Sequence, residues 1–478
     1  MTAQTRTRRS LPIRTLAVVG CMVAVVLASQ LIALGRPAPG PGPAGPPALI
    51  DPLQPAVGDL DPGGVSAGQD DGTSAIAGGP ADVKRIKANI EFWSARVAKN
   101  PDDFISSNKW GISEIELARA SGDISAYLRA EAAFDTTLRR DPTNAAALGY
   151  KGSVLVSLHR FVYAADLVRA VLARRPTDPV ALATLGDASL ELGDIATARE
   201  MYTRLNSLNP SAATLVRLAH LAFISGDTAT ARRSAAAAVA AGEVEGADGE
   251  RAAFFQYQLA DVLISTGDSA GAATAYAAAL RADAGSFLAH SGLARVAAAT
   301  GDLDEAIRQL SAAIDIVPQP DFLARRGDLY TLRAKSGDAK RAGADYATVE
   351  VIAKLAGEAA NVYDRTLVLY LANHGSDPDR AVRLAEAELA VRKDAYGYDA
   401  EAWALLAAGR PADADAAVAR ALAFGTRDAK LLYHAGMIAA ALGQPDRART
   451  LLEDSLRLDP SFDPLQAARA RDTLAGLP

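Results

Sequence analysis

Apolar residues recur along the chain at helical spacing, in pairs of segments that meet at a glycine. The stretch LELGDIATARE (residues 190–200) is one such meeting point, and its Gly-Asp pair returns in FISGDTATA, ISTGDSAGA, AATGDLDEA and AKSGDAKRA. Glycine ends a helix at little steric cost because it readily adopts the left-handed backbone conformation. The aspartate that follows can accept a backbone N–H at the start of the next helix. The pattern therefore predicts a series of helical hairpins with Gly-Asp turns.

The hairpin glycines, of which the first five belong to Gly-Asp pairs, are spaced by about 34 residues. Successive intervals are 33, 41, 34, 36, 38, 34 and 34 for Gly193, Gly226, Gly267, Gly301, Gly337, Gly375, Gly409 and Gly443. A fixed period of this length is typical of a solenoid, in which each unit buries its apolar faces against its neighbours.

The residues around each glycine repeat as well. Around Gly193, a small residue lies seven positions before (Gly186) and another five after (Ala198), while an aromatic residue lies nine after (Tyr202). With the proline that closes most units, this pattern resembles the tetratricopeptide repeat over residues 102–460, in about ten units. The resemblance implies an all-α fold, a right-handed α-solenoid whose first helices line a concave groove. Small residues let the paired helices approach closely, so a leucine in place of Ala198 is expected to overpack the crossing.

The first 82 residues follow a different plan. Residues 1–14 form a basic tail, and residues 15–35 carry no charge and are long enough, at about 30 Å as a helix, to span a bilayer. The positive-inside rule then predicts a single-pass anchor in the cytoplasmic membrane, with the N-terminus inside and the rest outside. Residues 36–82 contain ten Pro and ten Gly, which predicts a disordered tether before a repeat domain over 83–478.

Two alternatives to this anchor are a cleaved secretory signal and a lipoprotein site at Cys21. A cleaved signal has an apolar run of about 7–15 residues, shorter than the run found here. The apolar run also continues fourteen residues beyond Cys21, which favours a membrane helix over acylation. Because Cys21 is the only cysteine, the external part has none, and disulfides and thiolate chemistry are excluded there.

Composition and motifs favour neither a nucleic-acid partner nor catalysis. The formal net charge is −6, and phosphate binding needs a basic stripe that the main body lacks. GPGPAG and GVSAG match short catalytic patterns, but both lie in the Pro/Gly-rich segment instead of at a strand–helix turn. No H-x-x-x-H spacing occurs among His159, His220, His290, His374 and His434. We therefore expect no enzyme activity, no metal and no cofactor.

The resemblance places the partner-binding residues on the first helix of each unit, at and around the position six residues before the hairpin glycine. The predicted groove consists of Asp187, His220, Phe254, Tyr257, Asp261, Arg295, Asp328, Arg365, Trp403 and Tyr433. The alternative is that these side chains pack between units or lie on a solvated face. Some tetratricopeptide-repeat proteins grip a C-terminal carboxylate through a basic set that is missing here. A partner that presents Lys or Arg beside an apolar residue therefore suits the predicted groove better than a C-terminal carboxylate does.

These observations predict a membrane-anchored, extracytoplasmic tetratricopeptide-repeat scaffold that binds a protein or peptide partner of the cell envelope in its groove. The Ala-rich composition, with more Arg than Lys, is typical of a high-GC bacterium. The second hypothesis is a secreted repeat protein that binds a non-protein ligand, such as a polysaccharide or lipid fragment, or that carries a hydrolytic activity. An aromatic content of only 6% counts against this second hypothesis.

Overall fold

A computed structural model describes residues 80–208, 210–356, 364–375 and 377–478. Within these ranges the regular structure consists of 22 α-helices, with no strand. A leading helix, α1 (Pro80–Lys99), precedes ten helical hairpins, and a closing helix, α22 (Gln466–Gly476), follows them. The predicted all-α repeat array is thus confirmed, and the start of α1 at Pro80 lies just before the predicted domain boundary at residue 83.

The ten hairpins pair consecutive helices along the chain. They are α2 (Phe104–Ser121) with α3 (Ile124–Arg140), α4 (Ala145–Ser157) with α5 (Phe161–Arg174), α6 (Pro179–Glu191) with α7 (Ile195–Leu208), α8 (Ala212–Ile224) with α9 (Thr228–Val244), α10 (Gly249–Ser265) with α11 (Ser269–Ala282), α12 (Phe287–Ala299) with α13 (Leu303–Ile316), α14 (Pro320–Arg333) with α15 (Asp338–Ala356), α16 (Asp364–His374) with α17 (Pro378–Val391), α18 (Ala395–Ala407) with α19 (Pro411–Leu422), and α20 (Ala429–Ala441) with α21 (Pro445–Leu458).

The predicted membrane helix at residues 15–35 and nearly all of the predicted tether at 36–82 lie outside the described residues. Among the helices from α1 to α22, none combines the length and the apolar character needed to cross a bilayer.

The hairpin turns have the predicted chemistry. All eight glycines that define the period have positive φ, for example +78° at Gly193. Asp194 accepts the backbone N–H of Thr197 at 3.0 Å, and Asp302 accepts that of Glu305 at 3.0 Å. The Gly-Asp pair therefore ends one helix and caps the next, as its sequence context predicts.

Two turns use other residues in the left-handed conformation. His159 lies 34 residues before Gly193 and has φ +55°, with its ring stacked on Phe161 at 5.4 Å between centroids. Ala334 follows α14 with φ +51°. A residue with a Cβ is strained in this region, so His159 and Ala334, the latter in the same turn as Gly337, carry a local cost that a glycine avoids.

Small residues allow close packing inside each hairpin. Ala198 and Ala306 are fully buried at the crossings. The ring of Tyr202 lies directly over Gly186, where an added Cβ would be 2.3 Å from the ring carbon Cε1. The small residue on the first helix and the aromatic residue on the second are therefore two halves of one contact.

The array also curves back on itself. The backbone N–H of Lys393 donates to the carbonyl of Glu191 at 2.9 Å, and the Thr426 hydroxyl donates to the carbonyl of Ile224 at 2.6 Å. Arg392 forms an ion pair with the Glu191 side chain, 201 residues earlier in the chain. We call this line of contacts the seam. It joins the C-terminal ends of α6 and α8 to the loops that follow α17 and α19.

Candidate binding groove

The curvature leaves a cavity of about 120 Å³ on the inner side of the array. One wall consists of the first helices α10, α12, α14 and α16, and the other includes the segment 461–464, which precedes α22. The first helices therefore line the concave surface, as the family resemblance implies, and the end of the chain covers part of it.

The cavity wall is both aromatic and charged. Its aromatic side chains are those of Tyr257, Tyr276, Tyr370 and Phe462. Its ionisable groups include four carboxylates, three strong bases and one imidazole, which are Asp261, Asp321, Asp328, Asp463, Arg295, Arg325, Lys430 and His374. Such a surface can combine apolar contact with charge recognition, and aromatic residues and arginine commonly dominate binding energy at interfaces.

Hydrogen bonds hold most of these charged groups in place. Arg325 donates to the Ser291 hydroxyl at 2.9 Å and also contacts Asp321 at 3.3 Å. Arg295 forms an ion pair at 3.2 Å with Asp459, which lies just after α21. This pair extends the seam to the edge of the cavity.

His374 lies between two acceptors at the other side of the cavity. Its Nε2 is 2.9 Å from Asp328 Oδ1, and its Nδ1 is 2.8 Å from the carbonyl oxygen of Tyr370. Burial acts to lower the pKa of the imidazole, but the hydrogen bond and negative charge of Asp328 outweigh it, so the pKa is raised above its ordinary value. Both ring nitrogens donate when the imidazole is protonated, which this geometry favours.

Four of the ten predicted groove residues line this cavity. They are Tyr257, Asp261, Arg295 and Asp328. His220 lies nearby and lines two small pockets, one shared with Asp261 and the other at the seam. Burial lowers the pKa of the His220 imidazole. The structure therefore brings these four predicted residues together at one cavity, while the groove and its binding role stay predictions.

Two predicted groove residues belong to buried ion pairs instead. Asp187 accepts from the Tyr202 hydroxyl at 2.8 Å and from Arg217 at 2.9 Å. Arg365 is 2.7 Å from both Glu388 and Asp394. Because a charge removed from water needs a partner within the protein, these groups are already committed to internal contacts.

The three remaining predicted residues pack between units, which is the alternative interpretation of the pattern. Phe254 lies in an apolar cluster with Phe255, and Tyr433 is 0% exposed. Trp403 donates its indole N–H to Asn373 at 2.7 Å and stacks on His434 at 4.1 Å between centroids. Burial of these large rings stabilises the stack of helices, and a ligand in the cavity would not touch their side chains in this conformation.

Several cavity residues lie outside the set predicted from the sequence. Tyr276 occupies the aromatic position of a second helix, nine residues after Gly267, and also lines the cavity. Tyr370 and His374 lie on α16, at positions around the one used to predict the groove. The segment 461–464 follows the last repeat, and only the curvature of the array brings it there. No repeat pattern signals that contact.

Comparisons with known proteins agree with this architecture. A family model described as tetratricopeptide repeat matches residues 115–179, 257–319 and 400–461, and a second model with the same description matches residues 179–202. The chain matches no curated protein.

The chain is also similar to several solved structures. A thermophilic tetratricopeptide-repeat protein from Thermus thermophilus is 20% identical, covering 44% of this chain and 99% of its own, with a TM-score of 0.34. The APC/C hetero-tetramer Cut9–Hcn1 is 15% identical, and the match covers 83% of this chain and 73% of its own, with a TM-score of 0.38. The human IFIT1 dimer with PPP-AAAA is 15% identical, and the match covers 78% of this chain and 88% of its own, with a TM-score of 0.44.

Among the described residues, no group of three or more His, Cys, Asp or Glu side chains is arranged to hold a metal ion. The ten hairpins, their glycine turns and the matches of the family models lead to one conclusion: the chain contains tetratricopeptide repeats.

Proposed function

We propose that this protein is a membrane-anchored, extracytoplasmic scaffold that binds a protein or peptide partner in its concave groove. The observation that carries the proposal is the cavity itself. It is formed by successive first helices, and its wall combines aromatic rings with fixed charges of both signs. Such a wall suits an extended segment with both apolar and charged side chains. The scaffold has no catalytic role in this proposal.

The size of the cavity supports recognition of a short segment. A buried water needs about 10–15 Å³ of such volume, so 120 Å³ corresponds to about ten waters. One large side chain with its backbone unit fills a space of this order. The partner would therefore insert a single anchor residue, while its flanking residues lie along the groove.

Affinity capture with the tagged full-length chain tests the groove. We expect a protein partner to be recovered from cell-envelope extracts and to be lost when Tyr257, which lines the cavity, is replaced by Ala. The matched control is Tyr163→Ala on α5, because Tyr163 is 72% exposed and is not part of the cavity wall. Equal capture by Tyr257→Ala and Tyr163→Ala would exclude the cavity as the binding site.

The proposed location rests on the N-terminal sequence. An uncharged run at 15–35 follows four arginines, and no basic residue occurs between Arg36 and Lys84. Fractionation should recover the chain with membranes, and protease added to cells with a permeabilised outer envelope should digest the repeat domain. A chain found in the soluble fraction at full length would contradict the anchor.

A further inference from the structure

The leading helix α1 has a basic outer face. On its inner side Ile86 and Val97 are buried, and Ile86 belongs to an apolar cluster with Ile115 of α2. With 3.6 residues per turn, the residues on the opposite side of the helix and at its edge are exposed. We call them the basic face of α1, and they are Lys84, Arg85, Lys87, Phe92 and Lys99.

The four bases of this face have no counterion within the protein. Among the residues that the structure describes, none of the four forms an ion pair or a side-chain hydrogen bond. Exposed bases in the repeats are commonly paired, as Lys335 is with Asp304 at 2.7 Å. Helix α1 contains five basic and two acidic residues, whereas residues 100–478 contain 40 basic and 49 acidic ones. A concentrated positive surface therefore lies at the start of an otherwise acidic domain.

Exposed apolar side chains accompany this charge. Phe92 is 48% exposed on the basic face, and Phe104 and Ile105 at the start of α2 are 43% and 58% exposed. Arg96 links the two sites, because its guanidinium carbon lies 5.9 Å from the centre of the Phe92 ring and its Nε donates to the Ser106 hydroxyl at 2.9 Å. Basic side chains beside exposed aromatic and aliphatic ones are typical of a segment that lies at a lipid headgroup surface.

The place of α1 in the chain favours a membrane as the surface that it contacts. The predicted anchor ends at residue 35, and residues 36–79 separate it from α1. A flexible segment of this length has a root-mean-square end-to-end distance of about 33–40 Å, which keeps α1 near the bilayer. Because the tether makes docking intramolecular, the effective concentration reaches about the millimolar range, where even a weak electrostatic contact is occupied.

We propose that the basic face of α1 docks on anionic lipid headgroups of the membrane that anchors the chain, with its four bases beside the phosphates and Phe92 at the level of the headgroups. This inference rests on the membrane anchor of the proposed function and not on the groove. An acidic protein would also match the charge, but neither the exposed apolar side chains nor the tether favours it. Docking would hold the first unit of the array at the bilayer surface.

The experiment measures how closely α1 approaches lipid in the full-length chain, reconstituted as one chain per nanodisc. A fluorophore is attached at Ala95→Cys, an exposed position of α1, in a chain that carries Cys21→Ser, and nitroxide-labelled headgroups quench it at short range. The discs contain phosphatidylcholine alone or with about 30% phosphatidylglycerol. The same fluorophore at Ala416→Cys, an exposed position of α19, is the control.

Quenching reports the ratio of docked to undocked chains. We expect this ratio at position 95 to be at least about 10-fold larger in the anionic discs than in the neutral ones, because each basic residue near an anionic surface adds to binding. About 1 M salt should abolish the difference, since it screens the charges. Position 416 should show no such difference. Equal quenching at position 95 in the two kinds of disc would overturn the inference.

Three matched variants test the charge. The combination of Lys84→Gln, Arg85→Gln and Lys87→Gln should lower the ratio in anionic discs by at least about 10-fold while leaving the far-UV circular dichroism unchanged, because glutamine is a good helix former. The charge-conserving combination of Lys84→Arg, Arg85→Lys and Lys87→Arg should retain docking. An equal charge is removed from the exposed end of α5 by Arg169→Gln, Arg174→Gln and Arg175→Gln, which should also retain docking. Docking that survives loss of the α1 charges would overturn the inference.

The apolar contribution is tested by Phe92→Ala. This substitution should lower the docked-to-undocked ratio by about 5-fold or more, because the ring no longer enters the headgroup layer. Tyr163→Ala removes an exposed ring from α5 and is the matched control, with no change expected. Equal ratios for these two variants would show that Phe92 does not contact lipid, and the proposed geometry would be wrong.

Other occupants of the face give different results. Polyglutamate that binds the face in neutral discs, with no quenching by anionic lipid, would overturn the inference in favour of an acidic protein. Quenching found only in discs that hold two chains would overturn it in favour of a second copy of the chain.

The anchor is tested separately with a fluorophore on the native Cys21. Quenching there by nitroxides in the lipid acyl chains, in both kinds of disc, supports the anchor whatever the headgroup charge. If Cys21 is quenched but position 95 is not, only this inference fails. If Cys21 is not quenched in either disc, the anchor of the proposed function fails and this inference fails with it.

Discussion

Replacing Gly186 with alanine perturbs the contact on which the hairpin packing depends. An added Cβ would be 2.3 Å from Cε1 and 2.6 Å from Cδ1 of the Tyr202 ring, far inside van der Waals contact. Tyr202 cannot simply move away, because it is 1% exposed and its hydroxyl donates to Asp187 at 2.8 Å. The ring must shift, the helices must separate, or the hydrogen bond must break.

The expected loss follows from these terms. Overpacking of a well-packed core costs about 1–3 kcal/mol. Loss of a hydrogen bond to a charged group adds about 1.5–3 kcal/mol. The higher helix propensity of alanine stabilises the helix by about 1 kcal/mol relative to glycine, which offsets part of this loss. The free energy of unfolding should therefore fall by about 1.5–5 kcal/mol, in spite of the better helix former.

Gly343→Ala is the matched control. Gly343 lies within α15, is exposed, and has no atom within 4 Å of an added Cβ. This substitution should raise the free energy of unfolding by about 0.5–1 kcal/mol. Urea denaturation followed by far-UV circular dichroism compares the two variants. If Gly186→Ala were as stable as Gly343→Ala, the close packing of glycine against tyrosine would not hold the hairpin together.

Three other substitutions test separate features. Ala334→Gly should stabilise the chain by about 1 kcal/mol in the same assay, because glycine tolerates the φ of +51° at this turn; a loss of stability would contradict the strain. Arg392→Met should cost about 3–5 kcal/mol by leaving Glu191 buried without its partner, against less than about 1 kcal/mol for the exposed control Arg410→Met. Similar effects of these two substitutions would show that the seam contributes little. The raised pKa of His374 predicts a stabilising contribution that is complete below about pH 6.5 and is lost as the pH rises through the raised value. The difference in unfolding free energy between the wild type and His374→Gln should therefore shrink with increasing pH, and a difference that grows instead would reverse the sign of the argument.

The local structure of the repeat could be predicted because its causes lie within a few residues. Gly193 permits the left-handed turn and Asp194 caps the next helix, and neither effect needs any distant contact. Spacing then placed Tyr257 and Asp261 on the concave surface, where the cavity lies. The same spacing could not distinguish them from Trp403 and Tyr433, whose rings are buried by neighbouring units.

The remaining features depend on contacts between distant parts of the chain. Arg392 and Thr426 contact residues 201 and 202 positions earlier, and the pattern of one repeat contains no information about how far the array curves. Tyr276 occupies the same position in its unit as Tyr202, yet its ring lies against Gly292 of the next hairpin, whereas the Tyr202 ring lies against Gly186 of its own.

Site-specific photocrosslinking in the native host tests the groove most directly. A benzophenone amino acid would replace Tyr257 in the cavity wall or, as a control, Tyr163 on the exposed face of α5. Recognition within the cavity predicts a crosslinked protein from position 257 and none from position 163. A partner that crosslinks from position 163 but not from position 257 would contradict this account.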